Sequence, residues 1–137
     1  VTEPTKEKWR ANYVAAPHYF LLDQACRIVN DAFGSCCYLV GSALKRRDYR
    51  DVDVRLILPD EEFAGTFPGI GSSYPANARW SLLCCSISRF LSEASGLPVD
   101  FQFQQRTLAN AQHDGERHPL GMFHAMKEHE PYPGGGE

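Results

Sequence analysis

Two stretches of the chain alternate apolar and polar residues with period two, and two longer ones repeat apolar residues with the period of a helix. The clearest alternation is Asp51-Val52-Asp53-Val54-Arg55-Leu56-Ile57-Leu58, closed by Pro59. In a strand, side chains two apart share a face. Val52, Val54, Leu56 and Leu58 therefore point into a core, while Asp51, Asp53 and Arg55 share the opposite face. Pro98-Val99-Asp100-Phe101-Gln102-Phe103-Gln104 repeats the scheme, with Phe101 and Phe103 inward and Asp100, Gln102 and Gln104 on the other side. A further strand is expected over Cys36 to Val40.

The helical repeats lie before and between these strands. Tyr19, Phe20, Leu22, Ala25, Cys26, Ile28, Val29 and Phe33 recur at helical spacing behind Pro17, a good first-turn residue, and Gly34 supplies the stop. Trp80, Leu83, Cys84, Ile87, Phe90, Leu91 and Ala94 trace the buried face of a helix capped by Asn77 and ended by Gly96. Shorter pieces fill the gaps. Ser42 can cap one helical turn over Ala43 to Arg46, Asp60 starts a short helix with acids at its positive end, and Thr107 opens another through Gln112. The glycines, prolines and serines between 65 and 75 predict a mobile loop. The order predicts an α/β (α+β) domain, a small sheet with helices packed on it.

Length fits one domain: 137 residues can build one core, with residues 1–16 as an N-terminal arm carrying a short helical piece around Trp9, and 127–137 as a disordered tail. No apolar run reaches the roughly 20 residues needed to span a bilayer, and the first residues carry no apolar signal segment, so no membrane role is expected. The net charge of −3 offers no global attraction for nucleic acid, which leaves only a local patch for that purpose. Cys26, Cys36, Cys37, Cys84 and Cys85 are odd in number and include two vicinal pairs, a poor disulfide framework. They read as reduced core residues in a cytosolic (cytoplasmic) compartment, each pair with one sulfur inward. His113, His118, His124 and His129 follow no zinc spacing and read as a solvated tail.

Two like charges side by side on a strand face repel, and a divalent cation is the usual reason to keep them. The turn Tyr38-Leu39-Val40-Gly41-Ser42 followed by Asp51-Val52-Asp53-Val54 resembles the signature of the polymerase beta-type nucleotidyltransferase superfamily, over roughly residues 20 to 104. The resemblance implies a minimal nucleotidyltransferase-like fold with a mixed sheet and a third carboxylate on a later strand, here Asp100. It implies that Asp51, Asp53 and Asp100 are both catalytic residues and ligands of Mg²⁺ or Mn²⁺. Two such ions roughly 4 Å apart stabilise the attacking and leaving oxygens of an in-line displacement. The implied reaction moves a nucleoside monophosphate from a nucleoside triphosphate such as ATP to a hydroxyl of a protein, an RNA end or a small molecule, and releases pyrophosphate.

Nucleotide and phosphate contacts are expected from Gly41, Ser42, Lys45, Arg46 and Arg55. Glycine lets the backbone approach the phosphates, the serine hydroxyl can donate to them, and the cations offset the leaving group's charge. Arg55 serves equally as a salt bridge that orients a carboxylate. Gln102 and Gln104 are either base or sugar contacts or a solvated sheet face. The segment Arg117 to Met122 is a candidate lid or acceptor contact.

Such minimal domains resemble the antitoxin half of some toxin–antitoxin pairs, which nucleotidylate a partner protein. They act as homodimers or with a partner protein, and Trp9, Tyr13 and apolar groups on the long helix are the contact candidates. The alternative is a non-catalytic nucleotide- or partner-binding module of the same fold. Metal-dependent glycosyltransferases also use Asp-x-Asp, but their domains are much longer and give the Gly-Ser turn no role.

Overall fold

A computed structural model describes residues 12–71, 74–112 and 115–122. The expectations for Trp9, His113, His124, His129 and the tail over 127–137 lie outside the described residues.

Helix α1 (Ala16–Phe33) has Pro17 in its first turn and ends at Gly34, whose φ of 70° is the left-handed conformation a helix stop favours. It leads to β1 (Cys37–Val40), a 3₁₀ turn (Gly41–Leu44) and β2 (Val52–Leu58). Helices α2 (Asp60–Thr66) and α3 (Ala78–Ser95) follow, then β3 (Val99–Gln105), α4 (Arg106–Gln112) and β4 (His118–Leu120). Asn77 caps α3 by accepting from Trp80 N, and Gly96 ends it. The four strands form one sheet in the order β3-β2-β1-β4. β1 runs antiparallel to β2 and β4, while β2 and β3 are parallel, so the sheet is mixed. The parallel pair requires a crossover, which α2 and α3 supply. The α/β expectation holds. β4 has no counterpart in the sequence reading: three residues with a proline are too short to show alternation. Among the described residues no helix is long and apolar enough to cross a membrane.

Alternation decides what is buried. Val52, Val54, Leu56, Leu58, Val99, Phe101 and Phe103 are buried on the face that α1 and α3 cover. Phe103 is the hub: Phe33, Phe67 and Phe101 meet its ring with centroids 4.8, 5.2 and 5.0 Å away, in edge-to-face arrangements. The cysteines follow the expected split, with Cys37 and Cys84 buried beside the more open Cys36 and Cys85, and none is in a disulfide. Burial pushes the Cys84 thiol up to about 12.

Both long helices bury most of the expected stripe, Leu22, Ala25, Cys26 and Val29 on α1 and Trp80, Cys84 and Leu91 on α3, but not all of it. On α1, Phe20 and Ile28 are exposed, while Asp23 is buried and accepts from Gly121 N at 2.6 Å. Asn30 adds a bond from its amide to Leu120 O at 2.8 Å and accepts from Cys37 N at 2.8 Å. Polar residues on α1 thus clamp β4 and β1. On α3, Phe90 and Ala94 are exposed because the helix lies over the free edge of β3 and turns its serines inward. Ser88 Oγ accepts from Phe101 N at 2.8 Å and donates to Phe101 O at 3.3 Å. Ser92 does the same for Val99 at 3.0 and 3.4 Å. Trp80 Nε1 donates to Phe103 O at 3.0 Å, Cys84 hydrogen-bonds the Phe103 backbone, and Tyr74 accepts from Gln105 N. Trp80, Cys84, Ser88 and Ser92 are four apart and so form one ridge of the helix. They close an edge that would otherwise pair with another chain. Ser88→Ala leaves both backbone groups of Phe101 without this partner and is expected to cost about 1–2 kcal/mol. A urea midpoint unchanged from wild type would show that the ridge closes the edge without stabilising the fold.

Candidate active site

The mixed sheet brings three chain segments to one level. Val40, the last residue of β1, pairs with Asp53 of β2, and Asp53 pairs with Asp100 of β3. The two carboxylates therefore sit on neighbouring strands on the face turned away from α1 and α3. Gly41 follows Val40 directly, at φ 83°. A Cβ there would collide with the Asp53 carboxylate oxygen and come within 3.3 Å of its Cγ. Glycine at this position serves two needs at once, a left-handed turn and room for the carboxylate. Tyr13 N donates to Ala43 O at 2.8 Å and so ties the segment before α1 onto this turn.

Arg55 lies two residues along β2, on the same face. Its Nη1 donates to Asp100 O at 2.7 Å and to Val54 O at 3.0 Å. Its Nη2 stands 3.7 Å from Asp100 Oδ2 and 3.9 Å from Asp53 Oδ1, beyond hydrogen-bond length. The guanidinium is anchored by backbone carbonyls and acts on the carboxylates through charge, leaving their lone pairs open. Only 14% of the Arg55 side chain is exposed, against 26% for Asp53 and 46% for Asp100. Burial raises the Asp53 carboxyl above its ordinary value; Arg55 pulls it down, and the charges of Asp100 and Asp51 push it further up. Asp53 is thus a carboxylate whose charge Arg55 compensates only in part.

A cavity of about 330 Å³ opens beside it. Its floor is Asp53, Arg55 and Ile57 of β2 with Gln104 of β3. One wall is Val40, Gly41, Leu44 and Lys45; the other is Gln112 of α4 with Gly115, Glu116 and Arg117. The volume is at the small end of the range for small-molecule sites. Ile57 pairs with Gln104 in the sheet, four residues beyond Asp53, so the cavity runs along β2 for roughly 13 Å from its carboxylate end to its amide end.

No protein-family model, no curated protein and no solved structure matches this chain.

What the cavity can do follows from its own residues. Of those singled out in the sequence, Gly41, Lys45, Asp53, Arg55 and Gln104 line it, and Asp100 joins through its register with Asp53 and its contact with Arg55. Asp51 comes one residue before β2 rather than within it, is exposed, and is felt by Asp53 only as a nearby charge. Ser42 caps no helix. The turn is 3₁₀, begins at Gly41 and has no side-chain cap, because the backbone carbonyl of Ser42 takes Lys45 N and Arg46 N instead. Neither Ser42 nor Arg46 lines the cavity, and Arg46 pairs with Asp48 at 3.5 Å. Among the described residues no three His, Cys, Asp or Glu side chains converge as a ready metal cage.

Gln112 and Glu116 carried no site signal in the sequence, and Arg117 entered only as the first residue of the candidate lid. Arg117 donates to Asn110 Oδ1 at 3.0 Å and to Ala109 O at 3.4 Å, which fixes this wall to α4. The segment Arg117 to Met122, a candidate lid by sequence, continues from that wall into β4.

Proposed function

We propose that this chain is a metal-dependent nucleotidyltransferase that moves a nucleoside monophosphate from a nucleoside triphosphate to a hydroxyl acceptor. The observation that carries the reading is the packing of the Asp53 carboxylate into the space left by Gly41, in register with Asp100. An anionic pair beside bare backbone suits a cation and a polyphosphate together, and Mg²⁺ is commonly held by one or two carboxylates plus substrate phosphates. Asp53 fits a cation in its own right, because burial and like charges leave it under-compensated. Asp53 and Asp100 would hold Mg²⁺ or Mn²⁺, with Asp51 adding charge at the rim. The bound cation would supply charge stabilisation to the attacking and leaving oxygens.

The chain's own residues do the rest. The Gly41 turn lets the triphosphate approach the backbone, and Lys45 offsets the charge of the departing pyrophosphate. Arg55 holds the Asp100 backbone and orients the two carboxylates. In the transfer, the acceptor hydroxyl oxygen bonds to the α-phosphorus, the bond from that phosphorus to its bridging oxygen breaks, and pyrophosphate leaves. Asp100, the more open carboxylate, takes the hydroxyl proton. Ile57, Gln104 and Gln112 at the far end of the cavity face the nucleoside. The acceptor, a protein, an RNA end or a small molecule, enters from the exposed side of Asp100. The reducing, cytosolic setting suggested by the unpaired cysteines belongs to the same proposal.

A second reading is favoured by the cation that Arg55 already provides. In it the chain is a non-catalytic nucleotide- or partner-binding module. Leu21 and Ile28 on α1, with Leu82 and Phe90 on α3, are exposed and would meet a second copy or a partner protein. The two readings separate on pyrophosphate release from each of the four ribonucleoside triphosphates with Mg²⁺, using a cell extract as the acceptor pool. Transferase activity predicts release that needs both the divalent ion and Asp53. Triphosphate binding without release selects the binding module.

A further inference from the structure

Two carboxylates at one level of the sheet need a positive charge nearby in the free protein, and the chain supplies one. Arg55 is more buried than either carboxylate and stands between them, 3.9 Å from one and 3.7 Å from the other. It cannot swing away cheaply, because Nη1 is held by two backbone carbonyls at 2.7 and 3.0 Å. Its charge is therefore a fixed part of the site.

We infer that Arg55 is a resident counter-cation: it occupies the field of Asp53 and Asp100 in the free protein, keeps their affinity for a bare divalent ion low, and makes uptake of that ion depend on a polyphosphate. This inference rests on the function proposed above. The physical argument has three parts. A fixed guanidinium repels an incoming divalent ion at short range in a partly buried site, where screening is weaker than in water. The facing pair supplies too few ligands to offset that repulsion, since no third acidic, histidine or cysteine ligand among the described residues converges with it. A triphosphate brings both missing items, oxygen ligands for the ion and negative charge opposite Arg55 and Lys45. Arg55 is in this sense a positioning residue that also sets the order of assembly.

The experiment titrates Mn²⁺ into the full chain, alone and with a non-hydrolysable nucleoside triphosphate analogue, and measures protein-bound Mn²⁺ as the difference, by electron paramagnetic resonance, from matched titrations of buffer and of analogue without protein. Wild type is expected to bind Mn²⁺ alone in the millimolar range and at least about tenfold more tightly with the analogue. Arg55→Gln, which removes the charge, is expected to bind Mn²⁺ alone about tenfold more tightly than wild type. Arg55→Lys keeps the charge and is expected to stay near wild type. Circular dichroism shows that each variant is folded, and the wild-type titrations test the inference without any variant.

Tight binding of Mn²⁺ alone by wild type, or a folded Arg55→Gln with unchanged or weaker Mn²⁺ affinity, overturns the counter-cation role and leaves the proposed function standing. A wild-type chain that binds Mn²⁺ neither alone nor with the analogue removes both.

Discussion

Asp53→Asn is expected to abolish nucleotidyl transfer, by about 10²–10³-fold or more, while raising the melting temperature of the metal-free protein at neutral pH. Most substitutions at a half-buried polar position destabilise, so the combination is diagnostic. The activity loss follows from removing the carboxylate nearest the glycine turn. The stability gain follows from the sign of the linkage. Burial and the neighbouring charges of Asp100 and Asp51 raise the Asp53 carboxyl despite Arg55. A carboxyl that binds its proton more tightly in the folded state stabilises the fold below its unfolded value, and that contribution is lost as pH rises through the folded value. At neutral pH the wild-type protein carries the full penalty of the ionised group. Asparagine keeps the shape without the charge. Thermal melts of both proteins from pH 4 to pH 8, without divalent ions, should show the variant gaining on wild type as pH rises. A variant less stable at every pH would make Asp53 a structural carboxylate held by Arg55.

Gly41→Ala is expected to cost about 2–5 kcal/mol and to displace the Asp53 carboxylate. Forcing an L-residue into the left-handed region costs roughly 1–2 kcal/mol, and overpacking a filled space costs about 1–3 kcal/mol more. Gly34 provides an internal control. It has a similar φ of 70°, but an added Cβ there meets nothing within 4 Å. Gly34→Ala should therefore show the backbone cost alone, and the difference between the two variants isolates the collision with Asp53. Urea denaturation measures both costs. Gly41→Ala should also lose divalent-dependent triphosphate binding, which Gly34→Ala should keep. Equal costs and equal binding would mean that the turn and the carboxylate are independent.

What could be read in advance divides along physical lines. The faces of β2 and β3 were legible because Val52, Val54, Leu56 and Phe101, Phe103 alternate strictly with charged and amide residues. The helix ends were legible because Pro17, Gly34, Asn77 and Gly96 each act through local backbone chemistry. The facing of Asp53 and Asp100 was not, since it depends on β2 and β3 being parallel neighbours, a pairing no local pattern encodes.

Helix faces were legible only in part, for a related reason. Phe20, Ile28 and Phe90 fit an apolar stripe, yet Asp23, Ser88 and Ser92 hold the inward places because backbone groups of Gly121, Phe101 and Val99 need partners there. Hydropathy registers the side chain and not the backbone group it must satisfy. Of the outer wall of the cavity only Arg117 stood in the expected lid; Gln112, Gly115 and Glu116 were invisible because the wall is assembled by the return of the chain into β4. Ser42 and Arg46 were drawn into the expected phosphate site by proximity in sequence, but the tight 3₁₀ turn leaves both outside the cavity lining.

The most direct test follows label from the triphosphate. The full chain, Mg²⁺ and a cell extract are incubated with a ribonucleoside triphosphate labelled at either the α- or the γ-phosphate. A nucleotidyltransferase puts the α-label into a product and the γ-label into pyrophosphate, and loses both in Asp53→Asn. Transfer of the γ-label to a product, or no release from any of the four triphosphates by the folded protein, would contradict the account.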